Sequence, residues 1–157
     1  MSVKKHTTTI YQNHTKFVIS MILSSAAMCL ALNMFFEARG EPIEGQLMVA
    51  EVTYNRVASK SFPNNICDVV WQEKQFSWTH DGLSDNPLKM SYTDRQMWDH
   101  LKLLAYALEN DESNRAVLLP NTGATYYHST SIKGGWFKRN LTELGRVGDH
   151  IFYKEKE

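Results

Sequence analysis

Apolar residues in the first third of the chain predict two consecutive helices. Residues 17–36 contain 16 apolar residues out of 20 and no charge. The later part of this run predicts a helix over about residues 25–36. The helix stops within residues 37–40, where Gly40 suits a C-terminal cap. Pro42 then opens a second helix, which ends near Ser59, since proline is tolerated in a first turn. The apolar stripe of this second helix follows spacings of four and three residues: Ile43, Leu47, Ala50, Tyr54 and Val57.

Residues 62–92 interrupt the helical pattern with prolines and a glycine. A loop of this length in a small domain is usually functional. A third helix begins at Thr93, where Thr93 and Gln96 form a capping box, and ends near Asn110. Its predicted buried stripe is Met97, Leu101, Leu104 and Leu108.

The last third of the chain changes character. Residues 124–128 and 150–153 are short and rich in aromatic residues, which is typical of strands. Several glycines between and around them mark turns. The pattern as a whole predicts an α+β domain, mainly α, with a small C-terminal sheet.

Composition narrows the class of protein. The chain has 157 residues, of which 43% are hydrophobic and 22% charged, as expected for one globular domain. Its 17 basic and 17 acidic residues cancel, so no overall basic field holds nucleic acid. The two cysteines, Cys29 and Cys67, could form one bridge or remain two buried thiols, and we favour the thiols.

The charges are unevenly distributed along the chain. No acidic residue precedes Glu37, and the Lys and Arg residues before it are Lys4, Lys5 and Lys16, which all precede the apolar run. A basic lead, an apolar stretch and the small residues at 25–27 are typical of a secretory signal. We therefore expect residues 1–27 to be a signal or membrane-engaging segment and residues 28–157 to be the functional domain. The alternative is that the apolar run is simply a core helix.

One carboxylate has a setting suited to acid–base chemistry. Glu37 stands at the end of the apolar helix, immediately before a tight turn. Apolar surroundings disfavour the charged form and raise a carboxyl pKa, so that the group can act as a general acid. The alternative is an ordinary solvated glutamate at a helix end.

The histidines do not have the spacing of a metal site. The cluster with the best composition is His80, Asp81, His128 and His150, and no H-x-x-x-H or H-E-x-x-H spacing is present. We expect no metal and no cofactor. A nucleophilic role for Cys29 is disfavoured because its position inside an apolar helix disfavours a thiolate.

Residues 28–57, MCLALNMFFEARGEPIEGQLMVAEVTYNRV, closely resemble the SleB-like cell wall hydrolases of spore cortex lysis and of phage. The resemblance extends over about residues 28–153, in the family's order. Two positions depart from the family's pattern: Phe36, where relatives vary, and Gly135, where a proline is frequent before Trp136. Further matching segments are Phe62-Pro63-Asn64, Cys67-Asp68-Val69-Val70, Gln75-Phe76-Ser77-Trp78, Tyr127-His128 and Gly148-Asp149-His150-Ile151-Phe152-Tyr153.

The resemblance implies a lysozyme-like lytic transglycosylase fold with a small C-terminal antiparallel sheet. It also implies that Glu37, the first glutamate of E-A-R-G-E, is the catalytic acid and base. The cleaved bond would be the β-1,4 link from N-acetylmuramic acid to N-acetylglucosamine, with a 1,6-anhydro sugar as the product. Hydrolysis would instead need a second carboxylate about 5 Å or about 6.5–9.5 Å away, for which Glu41 and Glu51 are candidates.

The remaining site candidates each carry a structural alternative. Glu41 either contributes favourable charge to the second helix or positions substrate, and Arg39 either pairs with Glu41 or lines the groove. Arg56 is interpreted mainly as a structural ion-pair or capping partner, with a direct substrate contact as the alternative. Aromatic faces, amides and hydroxyls bind sugars, although Trp78 could equally be core. The predicted substrate-binding residues are Glu41, Gln75, Ser77, Trp78, Tyr127 and His128.

These interpretations describe a peptidoglycan-degrading enzyme. We expect a monomer that acts on peptidoglycan glycan strands, binds no nucleic acid and touches the membrane transiently through its N-terminal segment. It would be exported to the periplasm or cell wall, or would act on the host cell wall as an endolysin if phage-encoded. The alternative is a catalytically inactive cell-wall-binding or virion structural module of the same fold.

Overall fold

The computed structural model describes residues 23–133 and 135–156. Within these ranges the chain forms six α-helices, two 3₁₀ turns and one three-stranded sheet. The α+β architecture, mainly helical with a C-terminal sheet, is therefore as predicted. The helices are α1 Ser25–Ala38, α2 Ile43–Ala58, α3 Ile66–Val70, α4 Tyr92–Asn110, α5 Glu112–Leu118 and α6 Gly135–Asn140; the strands are β1 Tyr126–Ser129, β2 Leu141–Val147 and β3 His150–Glu155; the 3₁₀ turns are Ser77–Thr79 and Pro87–Lys89.

Helix α1 runs through the hydrophobic core. The side chain of Ser24 caps it by accepting a hydrogen bond from the Ala27 amide at 3.1 Å. The helix ends at Ala38 with Arg39 as its C-cap, and Gly40 is not among the described glycines with positive φ, so the predicted glycine cap is wrong. The fully buried apolar residues of α1 pack against α2, α3 and α4: Ala27, Leu30, Ala31, Met34 and Phe35.

Helix α2 is covered on two sides, which explains why its buried face is broader than predicted. Val49 and Ala50 belong to the core that α1 shares, whereas Met48 and Val52 pack with Phe152 of the sheet. The predicted stripe is wrong at its first position, because Ile43 is 43% exposed. Four polar residues of α2 are also buried: Gln46, Glu51, Thr53 and Arg56.

Helix α4 closes the core. Its N-cap is Ser91, whose hydroxyl accepts from the Asp94 amide at 3.2 Å, so the predicted capping box at Thr93 is wrong. The buried face is also shifted by one position in part, because it uses Trp98 and Ala105 where Met97 and Leu104 were predicted. The ring of Trp98 meets the ring of Phe35 edge-on, with 5.7 Å between centroids.

The sheet has the strand order β1-β3-β2 and is antiparallel throughout. Tyr127 pairs with Phe152 and His128 pairs with Ile151, so alternate residues of β1 face opposite sides of the sheet. The β2–β3 turn contains Gly148 at φ +56°, a left-handed conformation that favours glycine. Strand β2 was not predicted.

Cys29 and Cys67 form a disulfide bridge with Cα atoms 5.3 Å apart, so the expectation of two buried thiols is wrong. The bridge joins α1 to α3 across 38 residues. In the described part of the chain, no helix is long and apolar enough to cross a membrane. Most of the predicted signal segment, residues 1–22, lies outside the described residues.

Candidate active site

Glu37 lies in the last turn of α1, where the helix leaves the core. Its Oε2 accepts a hydrogen bond from the hydroxyl of Tyr127 at 3.0 Å. Burial raises the pKa of Glu37 above its usual value, while the Tyr127 hydrogen bond and the charge of Arg56 oppose that rise. The carboxyl group therefore keeps its proton to a higher pH than a free glutamate, as a general acid requires.

Tyr127 faces Glu37 because it lies on the side of β1 that packs against the helices. Its ring meets His150 edge-on at 5.1 Å and lies 5.5 Å from Phe152, both centroid to centroid. Burial and the nearby charge of Glu37 raise the pKa of Tyr127 well above its ordinary value. The hydroxyl consequently remains protonated and available as a donor to Glu37.

Arg56, in the last turn of α2, is buried and makes more contacts than a single ion pair would give it. It is 4% exposed, and its Nε donates to the Thr125 carbonyl at 2.8 Å. The guanidinium lies over three rings, at 5.1 Å from Phe62, 5.2 Å from Phe76 and 5.7 Å from Tyr126. Because arginine keeps its charge, this buried cation stabilises the carboxylate that Glu37 becomes after losing its proton.

Glu41 contacts the β2–β3 turn. Its Oε2 accepts from the Asp149 amide at 2.9 Å, and its Oε1 lies 3.7 Å from Nδ1 of His150. Arg39 does not pair with Glu41 but with Asp94, at 3.4 Å.

Glu51, the other candidate for a second carboxylate, is 2% exposed and accepts hydrogen bonds from backbone and side-chain donors. Its Oε1 accepts from the Thr122 amide at 2.5 Å, the Thr122 hydroxyl at 3.0 Å and the Gly123 amide at 3.0 Å. Asn55 donates to the same oxygen at 3.2 Å and to the Ala124 carbonyl at 2.8 Å. These bonds fasten the segment before β1 to α2, which is a structural function.

The predicted cleft segment divides into buried and accessible residues. Trp78 is 5% exposed, stacks on Phe36 at 4.8 Å and donates its indole N–H to Asn33 Oδ1 at 3.2 Å. It is a core residue in this structure, the alternative that its sequence position allowed. Gln75 is half-buried and Ser77 is exposed, so both can meet a ligand.

His128 lies on the opposite face of the sheet from Tyr127 and is not brought to Glu37. Its Nδ1 donates to the Ser129 carbonyl at 2.8 Å, so its Nε2 accepts from the Tyr153 hydroxyl at 2.9 Å. The ring packs against Phe137 of α6. Over residues 23–133 and 135–156, no cluster of three or more histidine, cysteine, aspartate or glutamate residues has the geometry to hold a metal ion.

The sequence profile described as Cell Wall Hydrolase matches residues 40–153. The chain belongs to this family. The spore cortex-lytic enzyme of Halalkalibacterium halodurans is 31% identical over 130 residues, 78% of this chain and 33% of that protein. The enzyme of the same name from Oceanobacillus iheyensis is 32% identical over 133 residues, 80% of this chain and 40% of that protein. This member of the family thus spans less than half the length of these two relatives.

Solved structures of cell wall hydrolases share the fold. The catalytic domain of the Bacillus cereus SleB protein is 28% identical with a TM-score of 0.58, covering 83% of this chain and 91% of that domain. The catalytic domain of a germination-specific lytic transglycosylase, SleB from Bacillus anthracis, is 27% identical with a TM-score of 0.59, covering 85% and 98%. The predicted SleB-like family and its lysozyme-like α+β fold are confirmed.

The family match begins three residues after Glu37, so the role of Glu37 is argued from its geometry. Arg56 and His150 were underestimated at the sequence level, although both lie in segments that carried the resemblance. The signal for Arg56 was its place in the Asn-Arg pair of the second helix, and the signal for His150 was the Gly148–Tyr153 segment.

Proposed function

We propose that this domain cleaves the β-1,4 bond from N-acetylmuramic acid to N-acetylglucosamine in peptidoglycan as a lytic transglycosylase. The observation that carries the proposal is the half-buried side chain of Glu37, whose carboxyl group has a raised pKa and a hydroxyl donor at 3.0 Å. The two relatives described as spore cortex-lytic enzymes and the structure described as a lytic transglycosylase support the same chemistry.

The reaction requires one group that first gives and then takes a proton. Glu37 protonates the glycosidic oxygen while the bond from that oxygen to C1 breaks, and the bonding electrons leave with the oxygen. The resulting carboxylate is stabilised by the Tyr127 hydroxyl and the charge of Arg56. It then takes the proton of the C6 hydroxyl of muramic acid as that oxygen bonds to C1, which forms the 1,6-anhydro ring.

The single-carboxylate mechanism is favoured by the contacts of the other two glutamates. Glu41 accepts from the Asp149 amide, and Glu51 accepts from four donors. We retain Gln75, Ser77 and Tyr127 as groups that contact the glycan. Glu41, Trp78 and His128 are better explained by the structural contacts described above.

We further propose that the protein acts as a monomer outside the cytoplasm, with residues 1–27 as a signal or membrane-engaging segment. The Cys29–Cys67 bridge supports this location, because disulfides persist in oxidising compartments. The family's description as cell wall hydrolases agrees with action at the wall.

The test is release of fragments from purified sacculi by the wild type and by Glu37→Gln. The variant should fold and bind sacculi but lose about 10²–10⁴-fold in rate, the usual contribution of general acid–base catalysis. Glu44→Gln, an exposed glutamate of α2, is the matched control. Mass spectrometry should find products lighter by one water molecule than reducing-end fragments.

Two outcomes would refute the proposal. Wild-type turnover by Glu37→Gln would remove Glu37 from the chemistry. Binding of sacculi by the wild type without any release would identify a binding or structural module instead.

A further inference from the structure

Glu41 joins two segments that are distant in sequence. It precedes α2, yet its Oε2 accepts a hydrogen bond of 2.9 Å from the backbone amide of Asp149 in the β2–β3 turn. The fit is close, because a Cβ placed on Gly148 would lie 1.7 Å from that same oxygen. The left-handed conformation and the approach of Glu41 both require glycine at position 148.

His150 connects this contact to the active-site side of the sheet. Its side chain is 11% exposed, and within residues 23–133 and 135–156 its buried Nδ1 has no hydrogen-bond partner. The atom that it faces is Oε1 of Glu41, at 3.7 Å. The other side of the His150 ring meets the ring of Tyr127 edge-on at 5.1 Å.

Because Tyr127 donates to Glu37, the four side chains form a continuous set of contacts from one glutamate to the other. We propose that Glu41 is a positioning residue for Glu37: it fixes the β2–β3 turn and His150, and His150 fixes the ring of Tyr127. This inference rests on the proposed function of Glu37. It assigns Glu41 no contact with the glycan.

The charges around His150 provide a second readout. Burial lowers the pKa of His150, while Glu41 and Asp149 raise it and His128 lowers it. Glu41 is the larger of the two favourable charges. Its neutralisation should therefore lower the pKa of His150 further.

The test compares Glu41→Gln with Glu44→Gln in the full chain. The glutamine keeps an oxygen to accept from the Asp149 amide but removes the charge beside His150. On soluble uncrosslinked peptidoglycan strands, Glu41→Gln should lower kcat about tenfold to a hundredfold with KM unchanged, as for other small misplacements of a catalytic group. NMR titration of the imidazole protons, assigned with His150→Asn, should show a lower pKa for His150. Glu44→Gln should change none of these quantities.

A second variant disturbs the contact between Glu41 and the β2–β3 turn by changing Gly148. Gly148→Ala displaces the Glu41 carboxylate without changing any charge and should also lower kcat. Gly82→Ala is its matched control, since Gly82 has φ +75° and open space around it. If Gly148→Ala does not fold, the Glu41→Gln comparison decides alone.

The failures are distinguishable. A raised KM with unchanged kcat in Glu41→Gln would make Glu41 a substrate contact and overturn the inference. Unchanged kcat and an unchanged His150 pKa would overturn it as well. Wild-type activity of Glu37→Gln in the same assay would instead overturn the proposed function.

Discussion

The surroundings of Glu37 and of Glu51 show how two glutamates on neighbouring helices come to serve different purposes. Glu51 is buried in the middle of α2, and four donors converge on its Oε1. Glu37 lies at the end of α1 and receives one hydroxyl, from Tyr127. Three of these hydrogen bonds hold residues 122–123 against α2, so Glu51 contributes to the fold.

Among the described residues Glu37 has fewer partners than Glu51, and this suits the acid–base role that we propose for it. Burial raises its pKa more than the Tyr127 hydrogen bond and the charge of Arg56 lower it. A proton held to a higher pH is what the proposed reaction requires of this group. The comparison teaches that the contacts of each carboxyl group separate the structural glutamate from the one proposed to act as an acid.

The largest effect on stability is expected from a change that touches neither glutamate. Cys29→Ala with Cys67→Ala removes a cross-link that closes 38 residues. The chain-entropy relation predicts a loss of about 4 kcal/mol in the free energy of unfolding. Urea unfolding measures this loss, and the reduced wild-type protein is the control. An unchanged midpoint in both samples would show that α1, and Glu37 with it, is held without the bridge.

The next effect concerns Glu51. Glu51→Gln replaces charge-assisted hydrogen bonds by neutral ones and should cost about 2 kcal/mol of stability, while the folded protein keeps most of its turnover. Urea unfolding and sacculus lysis, with Glu44→Gln as the control, separate the two quantities. A selective loss of turnover with unchanged stability would mean that Glu51 takes part in the chemistry and that the contrast with Glu37 is wrong.

A smaller effect is expected at Tyr127, the donor to Glu37. Tyr127→Phe removes one hydrogen bond to the carboxylate, which is worth about a tenfold loss of kcat. That hydrogen bond lowers the pKa of Glu37, so its removal should raise the pKa of Glu37. The alkaline limb of the pH–rate profile should then move to higher pH. Tyr126→Phe is the matched control, because the Tyr126 hydroxyl contacts Glu155 instead. A shift of the alkaline limb to lower pH would contradict this account.

Local pattern was sufficient for the long helices. The spacing of apolar residues located α1, α2 and α4 to within a few residues, because each buries a stripe with helical periodicity. It did not locate β2, since five consecutive residues of this edge strand are exposed and its register shifts between Glu143 and Gly145. The faces of α2 were misjudged because periodicity does not reveal that both α1 and the sheet cover this helix.

The site was predictable only as far as it is local. The position of Glu37 at an apolar helix end is visible in the sequence, whereas its donor lies 90 residues away. Tyr127 and His128 were both predicted at the site, but neighbouring residues of a strand face opposite sides, and only the packing of the sheet shows that Tyr127 is the one beside Glu37. The pairing of Cys29 with Cys67 and the contact of Glu41 with the β2–β3 turn likewise depend on tertiary packing.

The smallest expected effect is on the pH dependence of stability, and it tests the burial of Glu37 directly. The folded-state pKa of Glu37 is raised above its usual 4.5, so the unfolded chain loses this proton first as pH rises. Stability from this group is therefore complete below about that value and decreases as pH rises through the folded pKa. Glu37→Gln does not titrate, and its amide oxygen can still accept from Tyr127. The variant should match the wild type in acid and become more stable than the wild type towards neutral pH, in urea unfolding at a series of pH values.

Glu44→Gln should show no such divergence. A difference between Glu37→Gln and wild type that is the same at every pH would mean that burial does not set the proton affinity of Glu37, and its distinction from Glu51 would lose its physical basis.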